Sequence, residues 1–153
     1  MNLEKPTLPQ GQADQEQYTP REQAEAIIRI VKAFKPEGEF VSPAQLSNRE
    51  IDDVAAVIAG IKPAAIANDQ RAWRDVSREL YSMAAESGYV VSEAEGFGGG
   101  RVKVVGSPER VQEIVELVQE QAKRGEPDEN YHRKLGKLLG YSEQSINDFI
   151  ERQ

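Results

Sequence analysis

The sequence predicts an α+β fold, mainly helical, and three observations carry that expectation. Apolar residues recur at helical spacing along the chain, from Ala24, Ile27, Ile28 and Val31 near one end to Ile146, Phe149 and Ile150 near the other. Several of these runs open on a capping signature. Between two of them, Gly88-Tyr-Val-Val-Ser-Glu-Ala-Glu-Gly-Phe-Gly-Gly-Gly-Arg-Val-Lys-Val-Val-Gly106 abandons the helical rhythm for two β-prone runs around a glycine-rich loop, which reads as one β-hairpin.

Residues 1–18 combine Pro6, Pro9 and Gly11 with a run of Gln, Asp and Glu, and they read as a disordered or loosely attached arm. Thr19-Pro-Arg-Glu22 supplies an N-cap, a proline at the first helical position and a glutamate two residues further on, so a helix starts sharply there. Lys35-Pro-Glu-Gly38 ends it, and residues 39–42 read as a short strand. Ser47-Asn-Arg-Glu50 is a second capping box, ahead of Ile51, Val54, Ala55 and Ile58. Gly60 stops that helix, and Pro63 opens a short turn through Ile66. A third helix is expected over about residues 69–86, with Trp73, Val76, Leu80, Met83 and Ala84 as its apolar stripe and Gly88 as its terminator.

After the hairpin, Ser107 caps and Pro108 occupies the first position of a helix reaching about Lys123, with Val111, Ile114, Val115 and Val118 on its inner face. Two short helices follow, over about residues 128–139 and 143–151, broken at Gly140-Tyr-Ser142. Neither is long enough to persist alone, so the pair must pack on the body or on a partner. The expected organisation is an arm at 1–18, an α+β core at 19–124 with its hairpin at 88–106, and a C-terminal helical extension at 125–153 packed on that core.

Composition narrows the functional classes. A chain of 153 residues suits one compact unit. No apolar run approaches the roughly 20 residues of a membrane span, and Met1-Asn-Leu-Glu-Lys lacks the cationic start of a secretory signal. No membrane partner and a cytoplasmic location are the corresponding expectations. With no cysteine and one histidine, neither a thiolate site nor a multi-histidine metal site can form within one chain, and no cofactor is expected. Nineteen basic against 26 acidic residues give a formal charge of −7, which opposes tight non-specific binding to nucleic acid but leaves room for a local basic face.

One helix, a short strand, a helix-turn-helix pair and a hairpin, in that order, make a winged helix, and residues 19–106 are compatible with that sequence of elements. Within the third helix Arg71, Arg74 and Arg78 gather on one face opposite the apolar stripe. In a winged-helix regulator that face meets DNA while Arg101 and Lys103 of the hairpin reach the adjacent backbone. Asp75, Glu79 and Glu86 lie beside the arginines and offer the competing reading of solvent-facing ion pairs or a protein interface.

The remaining chemistry is sparse. Gly96-Phe-Gly-Gly-Gly-Arg101 has the backbone freedom of a phosphate cradle, yet no Lys-Ser/Thr pair follows and a strand, not a helix, comes next. It reads as a hairpin tip displaying Phe97. Asp52 and Asp53 point in different directions on a helix, and Glu93 and Glu95 suit cross-strand pairing with Arg101 and Lys103. His132 is the sole near-neutral base, with Tyr131, Arg133 and Ser142 near it in sequence, and no nucleophile elbow or ordered acid accompanies it.

The run His132-Arg-Lys-Leu-Gly-Lys-Leu-Leu-Gly-Tyr141 resembles the His-Arg-x-Leu-Gly-x-Leu-Leu-Gly-Tyr segment of a loose set of microbial proteins, several of which continue with a proline and paired cysteines. Here Ser142-Glu-Gln-Ser145 stands in that region, so any thiol-dependent role in such proteins has no carrier. The resemblance is confined to this tail segment and implies no activity. Physically the segment is architectural, with His132 and Tyr141 displayed near its ends.

The leading expectation is therefore a small non-enzymatic protein-interaction or regulatory domain. Its candidate surface is Arg71, Arg74 and Arg78, Phe97, Arg101 and Lys103, and His132 with Tyr141. A protein partner is favoured, DNA is the alternative through the winged-helix reading, and a homodimer is compatible with either. A small-ligand receptor or enzyme using the glycine loop or His132 ranks third.

Overall fold

The computed structural model describes residues 18–33, 50–68 and 73–152. The strand expected at 39–42, the cap at Ser47, most of the N-terminal arm and Arg71 lie outside the described residues. Helix α1 spans Pro20–Ala33, α2 Glu50–Ile58, β1 Ala64–Ala67, α3 Arg74–Glu86, β2 Val90–Glu95, β3 Arg101–Gly106, α4 Pro108–Arg124, α5 Glu129–Leu138 and α6 Glu143–Glu151. The class is α+β, with the hairpin and the C-terminal helical pair where the sequence predicts them.

The helix starts follow from their caps. At α1 the Glu22 amide donates to Thr19 Oγ1 at 3.1 Å and the Thr19 amide donates to Glu22 Oε1 at 3.0 Å, a reciprocal box that satisfies two otherwise unpaired donors. Ser107, Asp128 and Ser142 do the same work for α4, α5 and α6, each accepting from the backbone N–H three residues on.

The three strands form an antiparallel sheet in the order β1-β3-β2. Strand alternation sends Ala65, Ala67 and Val105 to one face and Ala64, Ala94 and Val104 to the other. The first face packs under α1, α2 and α3, around Ile27, Val31, Val54, Val57 and Leu80. On the second lie Val111, Ile114 and Val118 of α4, extended by Leu139. Leu80 and Ile114 are fully buried, one in each layer, and each such side chain contributes roughly 1.5–3 kcal/mol by leaving water.

The short turn expected from Pro63 through Ile66 is a strand. Ala64 to Ala67 pair with Gly106 to Lys103, and Ala64 and Ala65 are fully buried. A run of small residues carries no apolar period of two, and its partner strand lies far away in sequence, so only the tertiary ladder reveals it. Gly106 allows the close fit, since a Cβ there would sit 2.8 Å from the Pro63 carbonyl oxygen. This placement bears on the wing: β1 lies between α2 and α3, where a helix-turn-helix would have a turn.

The C-terminal pair meets the body at a few specific points. A Cβ on Gly136 would lie 2.7 Å from Ile146 Cγ1, which draws α5 and α6 together, and one on Gly140 would collide with the Pro63 ring. Arg110 of α4 donates from its guanidinium to the carbonyl oxygens of Leu138 at 2.9 Å and Lys137 at 3.4 Å. A cation there caps the negative end of α5, adding a donor to the Leu138 carbonyl and a second one to the Lys137 carbonyl, which also accepts from the Gly140 amide.

Candidate functional site

On α3, Arg74 and Arg78 are exposed on the side away from the buried Val76, Ser77, Leu80 and Ala84. Arg78 Nη1 lies 3.9 Å from Asp75 Oδ1, a pair so open to water that solvent screens most of its attraction. The neighbouring acids turn elsewhere. Arg21 of α1 reaches across to Glu86 at 2.7 Å and to Glu79 at 3.3 Å, clasping the two helices and holding the Glu86 carboxyl below its ordinary range. The sequence reading of an acidic stripe beside the arginines is thus half a same-helix pair and half an interhelical clasp.

The hairpin brings its charges together in register. Glu93 stands opposite Lys103, and Lys103 Nζ donates to Glu93 Oε2 at 2.6 Å while Arg101 Nη2 lies 3.3 Å from Glu93 Oε1. The hydrogen bond from Lys103, with the charges of Lys103 and Arg101, holds the Glu93 carboxyl below its usual range. Lys103 also lies 5.7 Å from the centroid of the Tyr81 ring on α3. At the tip, the Gly96 amide donates to the Gly100 carbonyl at 2.7 Å, and the intervening turn presents Phe97, 54% exposed. Just before it, a Cβ on Gly96 would lie 3.8 Å from Val118 Cγ1 of α4.

The two ends of the tail motif part company. His132 stands between two rings, with centroids 5.5 Å from Tyr131 and 5.1 Å from Phe149, both edge-on. Phe149 is 47% exposed, so this small aromatic cluster of α5 and α6 opens to solvent. Arg133 beside it donates to Glu129 of its own helix and to Asn147 of α6.

Tyr141 instead points inward, onto a lysine that sequence reasoning did not select. Two helix ends create the meeting. At α2 the Gly60 and Ile61 amides donate to the carbonyls of Val57 and Ala56, and at α5 the Gly140 and Tyr141 amides donate to those of Lys137 and Gly136. Both are left-handed glycine turns, with φ of 80° at Gly60 and 91° at Gly140, and each reverses the chain toward the other. Lys62 Nζ then lies 3.2 Å from the Tyr141 hydroxyl, 4.5 Å from the centre of its ring and 3.7 Å from Asp53 Oδ1 of α2.

The Lys62 side chain is 1% exposed. Burial pushes its ammonium below the ordinary lysine value, against the opposing attraction of Asp53. Burial, then the Asp53 charge, pushes the Tyr141 hydroxyl well above its own. The arrangement holds a poorly solvated amine under a neutral phenol. Sequence offered one signal for it, a lysine between Ile61 and Pro63 at the junction of two buried segments.

A shallow groove of about 440 Å³ separates α4 from α5, with Glu113, Glu116, Leu117 and Glu120 on one wall and Lys134, Lys137 and Leu138 on the other. Three carboxylates on one wall thus face two ammonium groups on the other. Among the described residues no group of three His, Cys, Asp or Glu side chains is placed to hold a metal ion. No helix is long and apolar enough to cross a membrane among them. No known protein family, curated protein or solved structure matches the chain.

Proposed function

We propose that this protein is a small non-enzymatic interaction or regulatory domain that recognises a protein partner through the outer face of its C-terminal helical pair. The observation that carries the reading is Phe149, a large ring left 47% exposed while its edge is fixed against His132. A pre-positioned aromatic loses little side-chain freedom on binding, and buried aromatic anchors supply much of the energy of protein interfaces. Phe97 at the hairpin tip is a second exposed ring of the same kind. The charges on the hairpin support the reading indirectly, since Arg101 and Lys103 both turn onto Glu93 and are thereby less disposed toward phosphates.

Affinity capture with the tagged full chain, run in parallel with the Phe149→Ser form, tests it. A partner retained by the wild type through a salt wash and lost from the variant is the expected result. A partner set unchanged by Phe149→Ser and by Phe97→Ser contradicts it.

DNA recognition in the manner of a winged helix is the second reading, favoured by the exposure of Arg74 and Arg78 on the outer side of α3 ahead of the β2–β3 hairpin. It requires salt-dependent binding to duplex DNA that weakens on Arg74→Ala. No binding to fragmented genomic DNA at low salt eliminates it.

A further inference from the structure

Helices α4 and α5 form an antiparallel hairpin: residues 125–128 join them, and Arg110 in the first turn of α4 reaches the carbonyls that end α5. Along α4 the sheet-side core takes Val111, Ile114, Val115 and Val118. Leu117 turns instead to the groove shared with α5, where Leu138 is the other apolar lining residue. Both leucines are left half-buried.

Charge of opposite sign flanks this apolar strip on its two sides. Glu113, Glu116 and Glu120 recur at i, i+3 and i+7 along the α4 wall, Lys134 and Lys137 at i and i+3 along the α5 wall, and all five are exposed. Among the described residues no ion pair closes across the gap, so these charges stay available to an occupant. A uniformly basic occupant is repelled by the lysine wall, and a uniformly acidic one by the glutamates. What satisfies both walls is an apolar strip between an acidic and a basic flank, and the α4–α5 hairpin of this chain is itself such an object. With a two-fold axis running along the groove, the glutamate wall of each copy lies against the lysine wall of the other and the leucines meet between them. An axis across the groove would set like charge on like.

We propose that the α4–α5 groove is a self-association surface, closed by the same groove of a second copy. Rotation about an axis along the helices preserves their direction, so each α4 lies antiparallel both to its own α5 and to that of the other copy, as neighbours do in an up-down four-helix bundle. The flanking charges fix the pairing, as charges beside the apolar seam do in coiled coils. The formal charge of −7 does not oppose this, because at physiological ionic strength charges farther apart than about 8 Å are largely screened and the facing walls decide. Neither His132 nor Phe149 lines the groove, so the inference is independent of the partner site proposed above.

Sedimentation equilibrium of the full chain at physiological salt, over a concentration series reaching about 1 mM, should show a reversible monomer–dimer equilibrium. Reversing one wall, by Glu113→Lys/Glu116→Lys/Glu120→Lys, or the other, by Lys134→Glu/Lys137→Glu, sets like charges face to face and should weaken the dimer on the order of tenfold or more, with the far-UV circular dichroism unchanged. An equimolar mixture of the two variants should then form a heterodimer, because each supplies the wall that the other has lost. Leu117→Gln, which alters no charge, should also weaken the dimer, and Phe149→Ser should leave it intact; these two decide the matter where a reversed wall disturbs the fold. A chain that stays monomeric throughout the series leaves the groove to a different occupant and overturns the proposal. So does a dimer retained by both reversed variants, a mixture of the folded variants that stays monomeric, or a dimer lost with Phe149→Ser and kept with Leu117→Gln.

Discussion

The α1–α3 layer and the C-terminal helical pair are both amphipathic and both helical, yet they are held by different forces. In the first, aliphatic residues from three helices and two strands close over one sheet face, with Leu80, Val54, Val57 and Ala55 wholly removed from water. The second places few side chains in a core and relies on close glycine approaches, carbonyls capped by Arg110 and a buried amine under Tyr141. Area-driven packing is non-directional and tolerant, whereas directional contacts fail singly. The difference places most of the enclosed aliphatic surface in one region and sensitivity to single contacts in the other.

The largest expected effect is on the first region. Leu80→Ala should cost about 2–5 kcal/mol of global stability, measured by denaturant unfolding, because its site is enclosed by three helices and the sheet. Ile146→Ala should cost the whole molecule less, since its contacts lie chiefly within the pair. Equal global losses for the two would erase the distinction.

Next in size is a change at the joint. Gly140→Ala forces a Cβ onto the Pro63 ring and a side chain into φ of 91°, and should weaken the attachment by at least about 1 kcal/mol. Amide protection should fall in α5 and α6 with little change in α1 and α3. Uniform loss across the chain would mean that the pair and the core unfold as one unit.

Alkaline titration sharpens the comparison further. Folded Lys62 releases its proton below the unfolded value of 10.5, so in that interval the unfolded chain binds more protons and stability rises with pH. Tyr131 and Tyr141 hold their protons beyond the unfolded value of 10.0, so above it the folded chain binds more and stability falls. Thermal unfolding should therefore show a rise toward pH 10 and a decline beyond it, and Lys62→Met should remove the rise alone. The smallest change is expected from Arg21→Ala, whose partly exposed contacts to Glu79 and Glu86 should matter slightly and less at high salt.

Much of the fold was legible because its signals are local. The caps at Thr19, Ser107 and Ser142, the proline at the start of α4 and the glycine breaks at Gly88 and Gly140 all act within a few residues, and each stands where the sequence predicts. Strand β1 escaped because three alanines around Ile66 lack a period and pair with a strand nearly 40 positions away by the β1–β3 register. The candidate surfaces were legible only as exposure: Phe97 is displayed as its glycine-rich surroundings suggest, and His132 gains Phe149 as a neighbour. Tyr141 was singled out with His132 as a display residue, but its ring is turned toward Lys62. Two chain reversals, 80 residues apart at Gly60 and Gly140, create that contact, and no local pattern encodes it.

The claim that recognition belongs to the C-terminal pair is tested most directly by measuring the affinity of the captured protein partner for two full-length variants side by side. Phe149→Ser should weaken binding by about tenfold or more, as loss of an interface anchor does, while Arg74→Ala/Arg78→Ala should leave it nearly unchanged. Loss of binding in the arginine variant with full binding by Phe149→Ser would contradict the account and return the recognition surface to α3.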